Sequence, residues 1–203
     1  MKLILLTSPE FFVEEDKILT ALFEEGLDIL HLRKPHSEPV FCERLLNLMP
    51  SQYLGKIVVH DHFYLRDEFG LMGIHLSRRN PTAPVSYSGP VTRTCYDLKS
   101  TQEQKPACQY ILLRNIFDSI SERENKASFT PDELRGAARQ GIIDRKVIAE
   151  GGVGIANIGQ VQEWGFGGVA IRGDLWNRFD IHSGRDYKEL IAHFRKLRKA
   201  TSA

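Results

Sequence analysis

The sequence is poor in the features that mark secreted, membrane-bound or nucleic-acid-coating proteins. It has 3 Cys in 203 residues, at positions 42, 95 and 108, with no CxxC pair and no zinc-ligand spacing. That excludes a disulfide framework or a cysteine zinc module and fits a reduced compartment. No apolar run approaches the ~20 residues needed to cross a bilayer. Leu3-Ile4-Leu5-Leu6 is typical, and the amino terminus turns acidic at Glu10 without the longer apolar stretch of a signal peptide. A cytoplasmic protein without membrane association is expected. An excess of one charge is missing as well. The 27 Lys plus Arg meet 26 Asp plus Glu, for a net charge of +1. So small an excess does not hold a phosphate polymer, and nucleic acid is not an expected partner. With 42% hydrophobic residues the chain can fill a core, which excludes disorder.

What is present is a rhythm. Short runs apolar at consecutive positions recur at Leu3–Leu6, Ile29–Leu32, Ile57–Val59, Ile74–Leu76, Val91–Thr94, Tyr110–Leu113, Val147–Ala149 and Val169–Ile171. Strands of this kind are covered on both faces, as in a parallel sheet wrapped by helices. Between the first two runs, Ile18, Leu19, Leu22 and Phe23 form a helical stripe that Gly26 ends. Thr130-Pro131-Asp132-Glu133 combines a Thr cap, Pro at the first helical position and Glu three residues after the Thr, with Leu134, Ala137 and Ala138 facing inward. A last helix over about 187–199 buries Leu190, Ile191, Phe194 and Leu197. One or two turns fit between Tyr64 and Phe69, and 80–89 holds no regular helix. Eight units of about 25 residues sit near the lower limit for a closed (β/α)8 barrel, ~200 residues. No linker or composition shift divides the chain, so residues 1–203 read as one compact α/β domain of the TIM-barrel class. An open doubly wound sheet is the alternative, but it usually carries a Gly-rich turn after its first strand, where this chain has Thr7-Ser8-Pro9-Glu10.

In such a barrel, chemistry gathers where strands run into loops. Those positions are strongly polar: His31-Leu32-Arg33-Lys34, His60-Asp61-His62, His75 through Asn80, Arg93-Thr94-Cys95-Tyr96, Asp118 through Glu122, Glu150-Gly151-Gly152 and Arg172-Gly173-Asp174. Gly151-Gly152-Val153-Gly154 lies between a strand and a helix. Its N–H groups could hold a phosphate, and it reads equally well as a tight turn. Arg172 or Asp174 could complete that site. Arg33 and Lys34 could grip a diphosphate, although adjacent basic residues are more often merely solvated. Asp61 is a candidate magnesium ligand. His60 and His62, if both lie in a strand, share one face and leave a transition metal open, while His75 reads as a hydrogen-bonded structural residue.

The ordered pieces His31-Leu32-Arg33-Lys34, Gly73-Ile74-His75-Leu76, Ile116-Phe117-Asp118-Ser119, Gly151-Gly152-Val153 and Gly168-Val169-Ala170 resemble the thiamine phosphate synthase and thiazole tautomerase superfamily. The resemblance runs from Leu3 to about Trp176. It implies a transferase of thiamine biosynthesis, a pyrophosphorylase that joins a hydroxymethylpyrimidine diphosphate to a thiazole phosphate with magnesium and releases pyrophosphate. Phosphorylated small molecules are then the partners, and a homo-oligomer is compatible with it. Carried over position by position, it implies that Arg33 binds the diphosphate, Asp61 holds magnesium and Thr94 takes the place of a phosphate-binding serine. Ser119 and Ser121 stand near the thiazole, and Gly151, Gly152, Arg172 and Gly173 form its phosphate cradle.

The chain departs from that pattern at several places. His31 replaces a glutamine that contacts the pyrimidine, and His60 replaces an asparagine beside the metal aspartate. Asn80 stands where the second metal aspartate is expected. Lys34 comes one residue early, and Glu122 falls where a lysine meets the diphosphate, which predicts repulsion there unless Lys126 reaches back to it. Tyr96 replaces the histidine with which the tautomerase branch moves protons. With an ordinary pKa near 10, a tyrosine is a poor neutral-pH base. Because Arg33, Asp61, Thr94 and the glycine loop all remain, the synthase reaction stands first. A thiazole tautomerase-type isomerase and a non-catalytic phosphate-ligand binder remain as alternatives.

Overall fold

The computed structural model describes residues 1–122, 124–178, 180 and 187–202. Eight parallel strands close into one barrel in chain order: β1 (Lys2–Leu6), β2 (Ile29–Leu32), β3 (Ile57–Val59), β4 (Gly73–Leu76), β5 (Val91–Cys95), β6 (Tyr110–Leu113), β7 (Val147–Glu150) and β8 (Gly168–Ile171). Closure is made by β1 against β8, with Leu3 opposite Val169 and Leu5 opposite Ile171. The protein is a compact single-domain (β/α)8 barrel, as the apolar rhythm predicted, and each strand lies within a residue of its expected place.

Among the described residues, helices form where stripes, a cap or one or two turns were expected and at five further places, and in the helix of residues 131–139 Leu134 and Ala137 are buried while Ala138 is only partly so. The helices are α1 (Glu15–Glu24), α2 (Pro39–Leu48), α3 (Ser51–Leu54), α4 (Leu65–Phe69), α5 (Leu98–Gln104), α6 (Pro131–Arg139), α7 (Ile158–Glu163), α8 (Gly173–Trp176) and α9 (Tyr187–Ser202). A 3-10 turn, Lys105–Ala107, extends α5. Helix α1 buries Ile18, Leu19, Leu22 and Phe23, and Gly26 follows it with a left-handed φ of 94°. Helix α9 buries Leu190, Ile191, Phe194 and Leu197. No helix forms between β4 and β5. Among the described residues no helix is long and apolar enough to cross a membrane.

Two apolar shells result from the alternation of side chains along each strand. Odd residues of β1, such as Leu3 and Leu5, join the large shell between strands and helices. Ile4, Leu6, Ile29, Val58, Tyr110, Leu112, Ile148 and Ala170 turn inward and fill the barrel axis. All three cysteines are free and buried, as small apolar residues would be.

Helix α6 shows how locally some of this is written. The Thr130 hydroxyl accepts from the Glu133 N–H at 3.3 Å, and the Glu133 carboxylate accepts from the Thr130 N–H at 2.7 Å. Thr130→Ala removes one half of this reciprocal cap and is expected to lower stability by about 1 kcal/mol in urea denaturation. An unchanged unfolding midpoint would show that α6 is held by packing alone.

Candidate active site

The parity that fills the barrel axis also decides what reaches its mouth. One step beyond the interior residues Ile29 and His31 comes Arg33; beyond Val58 comes His60. Thr94 and Tyr96 follow Thr92, Arg114 follows Tyr110 and Leu112, Glu150 follows Ile148, and Arg172 follows Ala170. All lie at the carboxyl rim. Arg33, His60, Thr94, Tyr96, Arg114 and Glu150 line a recess of ≈ 230 Å³ together with Ser77, Arg78 and Arg79. Ser119, Ser121, Gly151, Gly152, Arg172 and Gly173 line a second, narrower recess that shares Leu6, Arg114 and Glu150 with the first. Outside them, Arg33, Arg79, Glu122 and Arg172 border a wider vestibule. The barrel thus gathers Arg33, His60, Thr94, Ser119, Ser121, Gly151, Gly152, Arg172 and Gly173 around one opening.

Four predicted residues do not line these recesses: Lys34 and His31, and the Asp61–Asn80 pair described below. Lys34 has the opposite parity to Arg33 and points out toward α1. There its fully buried ammonium meets the Glu15 carboxylate at 2.5 Å and the Glu10 carbonyl at 2.8 Å. Burial works against both charges, lowering the Lys34 pKa and raising that of Glu15 to about 7. His31 lies below the opening with no solvent exposure. Its Nδ1 is 2.8 Å from Nε2 of His60, and its Nε2 is 2.6 Å from the Tyr110 hydroxyl. His31 can therefore meet a ligand only through His60.

A third interior histidine completes this layer. His75 Nδ1 lies 2.8 Å from the Thr92 hydroxyl and its Nε2 lies 2.8 Å from that of Thr94. Thr92 also donates to the Ile74 carbonyl at 3.3 Å. The arrangement that satisfies all three contacts has His75 Nδ1–H donating to Thr92 and Thr94 O–H donating to Nε2 of His75. The Thr94 oxygen then offers only lone pairs to the recess, which suits a substrate donor better than a phosphate oxygen. Burial holds the His31 pKa down to about 3 and those of His60 and His75 well below the usual imidazole value, so all three stay neutral at pH 7.

The acidic and basic groups of the rim are tightly arranged. Arg79 Nη2 donates to both oxygens of Asp61, at 2.7 and 2.6 Å. The Asn80 amide donates to Asp61 at 2.9 Å and to the His60 carbonyl at 2.8 Å. Glu122 bridges Arg172 at 2.7 Å and Arg114 at 3.0 Å, and these contacts, Arg172 first, lower its pKa. The repulsive Glu122 expected from the sequence is therefore neutralised within the site. Lys126 pairs with Asp118 rather than Glu122. The Arg114–Asn115 peptide is cis. Arg78 stacks on the Tyr96 ring, 3.7 Å from its centroid.

Two residues missed from the sequence stand at the centre. Glu150 is 8% exposed, with one oxygen 3.8 Å from Arg114 and the other, Oε2, buried without a hydrogen-bond partner among the described residues. Such an oxygen is costly unless a ligand donor meets it. Arg114 lines both recesses. Counting inward parity one step past each apolar run would have selected both. Asn157 organises the glycine turn, donating to the Gly152 carbonyl at 3.0 Å and accepting from Gly154 N–H at 2.9 Å. Gly152 has φ of 66°, and a Cβ there would lie 2.2 Å from the Asp118 carbonyl, so glycine is required by the packing as well as by the turn. Asp174 does not line the recess; its carboxylate is held by Arg178 and His193 and accepts from the Ile155 N–H beside the glycine turn at 3.4 Å.

The donor set does not fit magnesium. That ion takes carboxylate and phosphate oxygens, yet Arg79 holds both oxygens of Asp61, Asn80 turns its amide nitrogen toward it, and the other rim carboxylates, Glu122 and Glu150, are set against Arg172 and Arg114. His60 and His62 do not form a pair either, because β3 ends at Val59 and His62 bonds the Ser37 carbonyl. Ring nitrogens of His31, His60 and His75 lie within 4.8 Å of one another, but an ion there would displace hydrogen bonds already made by His31 and His75.

The family model described as thiamine monophosphate synthase matches residues 3–175. The chain belongs to the thiamine monophosphate synthase family. Among solved structures, it is similar to thiamine phosphate pyrophosphorylase from Bacteroides thetaiotaomicron, at 48% identity over 100% of this chain and 98% of that one, with a TM-score of 0.92. Thiamine phosphate pyrophosphorylase from Pyrococcus furiosus, 16% identical, covers 99% of this chain and 95% of its own, with a TM-score of 0.77. The 3-hexulose-6-phosphate synthase of Salmonella typhimurium, 14% identical, covers 100% and 99%, with a TM-score of 0.66. These last two show the shared fold alone. No curated protein matches the chain.

Two measurements bear on this geometry. Because the interior histidines have folded pKa values below the unfolded value of about 6.5, their contribution to stability is complete above that pH. It is lost as the pH falls toward about 3, where His31 titrates. Each imidazole adds up to about 1.4 kcal/mol per pH unit to the slope. Urea unfolding at pH 7, 6 and 5 is expected to show this loss, with His31→Gln flattening it by about one proton; equal slopes in the two proteins would contradict the neutral interior layer. Lys34→Met is expected to cost about 3 kcal/mol at pH 8 by leaving Glu15 without its partner, and Glu15→Leu with Lys34→Met to recover most of it. If the double variant is no more stable than the single one, Lys34 acts elsewhere.

Proposed function

We propose that the protein is a thiamine phosphate synthase, joining a hydroxymethylpyrimidine diphosphate to a thiazole phosphate. The observation that carries this reading is the pair of communicating recesses, one bordered by arginines and the other by a glycine turn, with Arg114 and Glu150 between them. In that reading the diphosphate lies against Arg33 and the other rim arginines. The thiazole phosphate lies in the recess of Gly152 and Gly173, where the N–H groups of Gly152 and Val153 make no hydrogen bond among the described residues. Ser119 and Ser121 stand beside it.

The chemistry asks little covalent work of the protein. The C–O bond to the diphosphate breaks with its electron pair leaving on pyrophosphate. The thiazole nitrogen lone pair then forms the C–N bond to the pyrimidine methylene carbon. Arginines stabilise the departing charge, and the two recesses hold the rings at reacting distance. The unpartnered Glu150 oxygen and the Thr94 lone pairs are suited to accept N–H groups of the pyrimidine and so to fix its face. The isomerase alternative has less support, since Tyr96 is stacked under Arg78 and His31 and His60 are buried and hydrogen-bonded to each other.

Incubation with both precursors is expected to yield thiamine phosphate and pyrophosphate in equal amounts. Arg33→Ala is expected to lower kcat/KM by about 100-fold, which is about 2.7 kcal/mol of transition-state stabilisation. Turnover of a thiazole carboxylate phosphate without pyrimidine would select the isomerase, and phosphate-ligand binding without either turnover would select a binder.

A further inference from the structure

The rim that repels a divalent cation is well built for a multiply charged anion. Among the described residues, Arg33, Arg78, Arg79, Arg114 and Arg172 border the recesses and vestibule, facing the carboxylates of Asp61, Glu122 and Glu150. Five guanidinium groups against three carboxylates leave an excess of two positive charges, the charge one divalent ion would bring. The excess is not spread evenly. Glu122 is shared by Arg114 and Arg172, and Glu150 lies near Arg114. With Arg79 paired to Asp61, the unspent charge is that of Arg33 and of Arg78, the chain neighbour of Arg79.

Arg33 makes no hydrogen bond or ion pair through its guanidinium among the described residues, although it is half-buried beside Arg79 and Arg172. A partly desolvated cation set against like charges is held at a cost that an anion would repay. Arg79 is differently placed. Its Nη2 is fixed by both oxygens of Asp61, while Nη1 and Nε make no hydrogen bond among the described residues. Asn80 holds the same carboxylate from the other side and is itself anchored on the His60 carbonyl. Asp61 thus orients a guanidinium toward the recess, as an aspartate would orient a metal ion. The neutral Asn80 removes the second carboxylate that would compete for Arg79 or recruit a cation.

We propose that Arg79, clamped on Asp61 and Asn80, takes the place of the metal cation, so that the site binds a diphosphate group through guanidinium groups without a divalent ion. The proposal rests on the synthase reading for the identity of the natural ligand but not for the clamp itself, which any diphosphate would engage. Arg79 supplies a directional pair of donors where a metal would supply a point charge, and Arg33 supplies the facing fork. Asp61 is in this account a positioning residue.

Isothermal titration of the full chain with inorganic pyrophosphate, in EDTA and in excess magnesium, tests it. Binding is expected in EDTA, with no gain in magnesium. Arg79→Ala is expected to weaken the EDTA affinity at least tenfold, and Arg79→Lys to recover part of it. Asn80→Asp is expected to weaken binding in EDTA and to introduce a gain with magnesium, a response a merely structural role would not produce. Binding seen only with magnesium in the parent protein, or Arg79→Ala binding as tightly as the parent in EDTA, would overturn the clamp. Unfolding midpoints of the variants identify any that fail to fold, and Arg79→Lys keeps the comparison decisive in that case. Metal-free pyrophosphate binding with no thiamine phosphate formed sinks the reaction and leaves the clamp. Turnover with strictly magnesium-dependent binding does the reverse.

Discussion

A closed barrel gives each strand two faces and no edge, and that constraint organises everything at the mouth. Every second side chain must point at the axis, so the interior series continues past the last apolar residue into whatever the loop begins with. Leu112 is followed by Arg114, Ile148 by Glu150 and Ala170 by Arg172. Side chains far apart in sequence therefore converge because hydrogen bonding fixes the register of all eight strands together. The same parity sends Lys34 outward, where its ammonium is buried against α1. Adjacent basic residues thus have unrelated fates, one without an ion pair among the described residues at the opening and one paired in the shell.

The interior beneath the site is unusual in being polar. Tyr110, His31 and His60 form a hydrogen-bonded line from the axis to the recess, and Thr92, His75 and Thr94 form another beside it. Such a layer is tolerable only if each group finds a partner, and the contacts among these six groups supply them. It also fixes chemistry at the surface. His75 orients the Thr94 hydroxyl, and the His60 carbonyl anchors Asn80, which in turn holds Asp61. The core and the rim are one network, so a change in the interior histidines reaches the groups that meet ligand.

Charge at the rim is distributed by pairing rather than by composition. A chain with near-zero net charge concentrates five arginines at one opening and offsets them with three carboxylates, each placed against a particular arginine. Viewed singly, Asn80 and Glu122 are losses relative to the family pattern. In place, Asn80 supports the Asp61–Arg79 pair and Glu122 restrains Arg114 and Arg172. Both replacements therefore sit inside ion-pair networks of the rim.

The barrel and the helices α1, α4, α6 and α9 were legible in the sequence because their signals are local: apolar runs, the α1 stripe and the Thr130–Glu133 cap each act over a few residues; α2, α3, α5, α7 and α8 were not read from it. The position of Arg33, Thr94 and the Gly151–Gly152 turn at the mouth was legible too, since each adjoins a strand end. The roles of Glu150 and Arg114 were encoded in the alternation but required extending it beyond the apolar residues. The pairing of Arg79 with Asp61, the bridging of two arginines by Glu122, and the burial of Lys34 against Glu15 were decided only by the tertiary structure. Those contacts join residues from different strands and loops, and a charge acquires its chemical meaning from the distance and orientation of its partner, quantities that no single stretch of sequence contains.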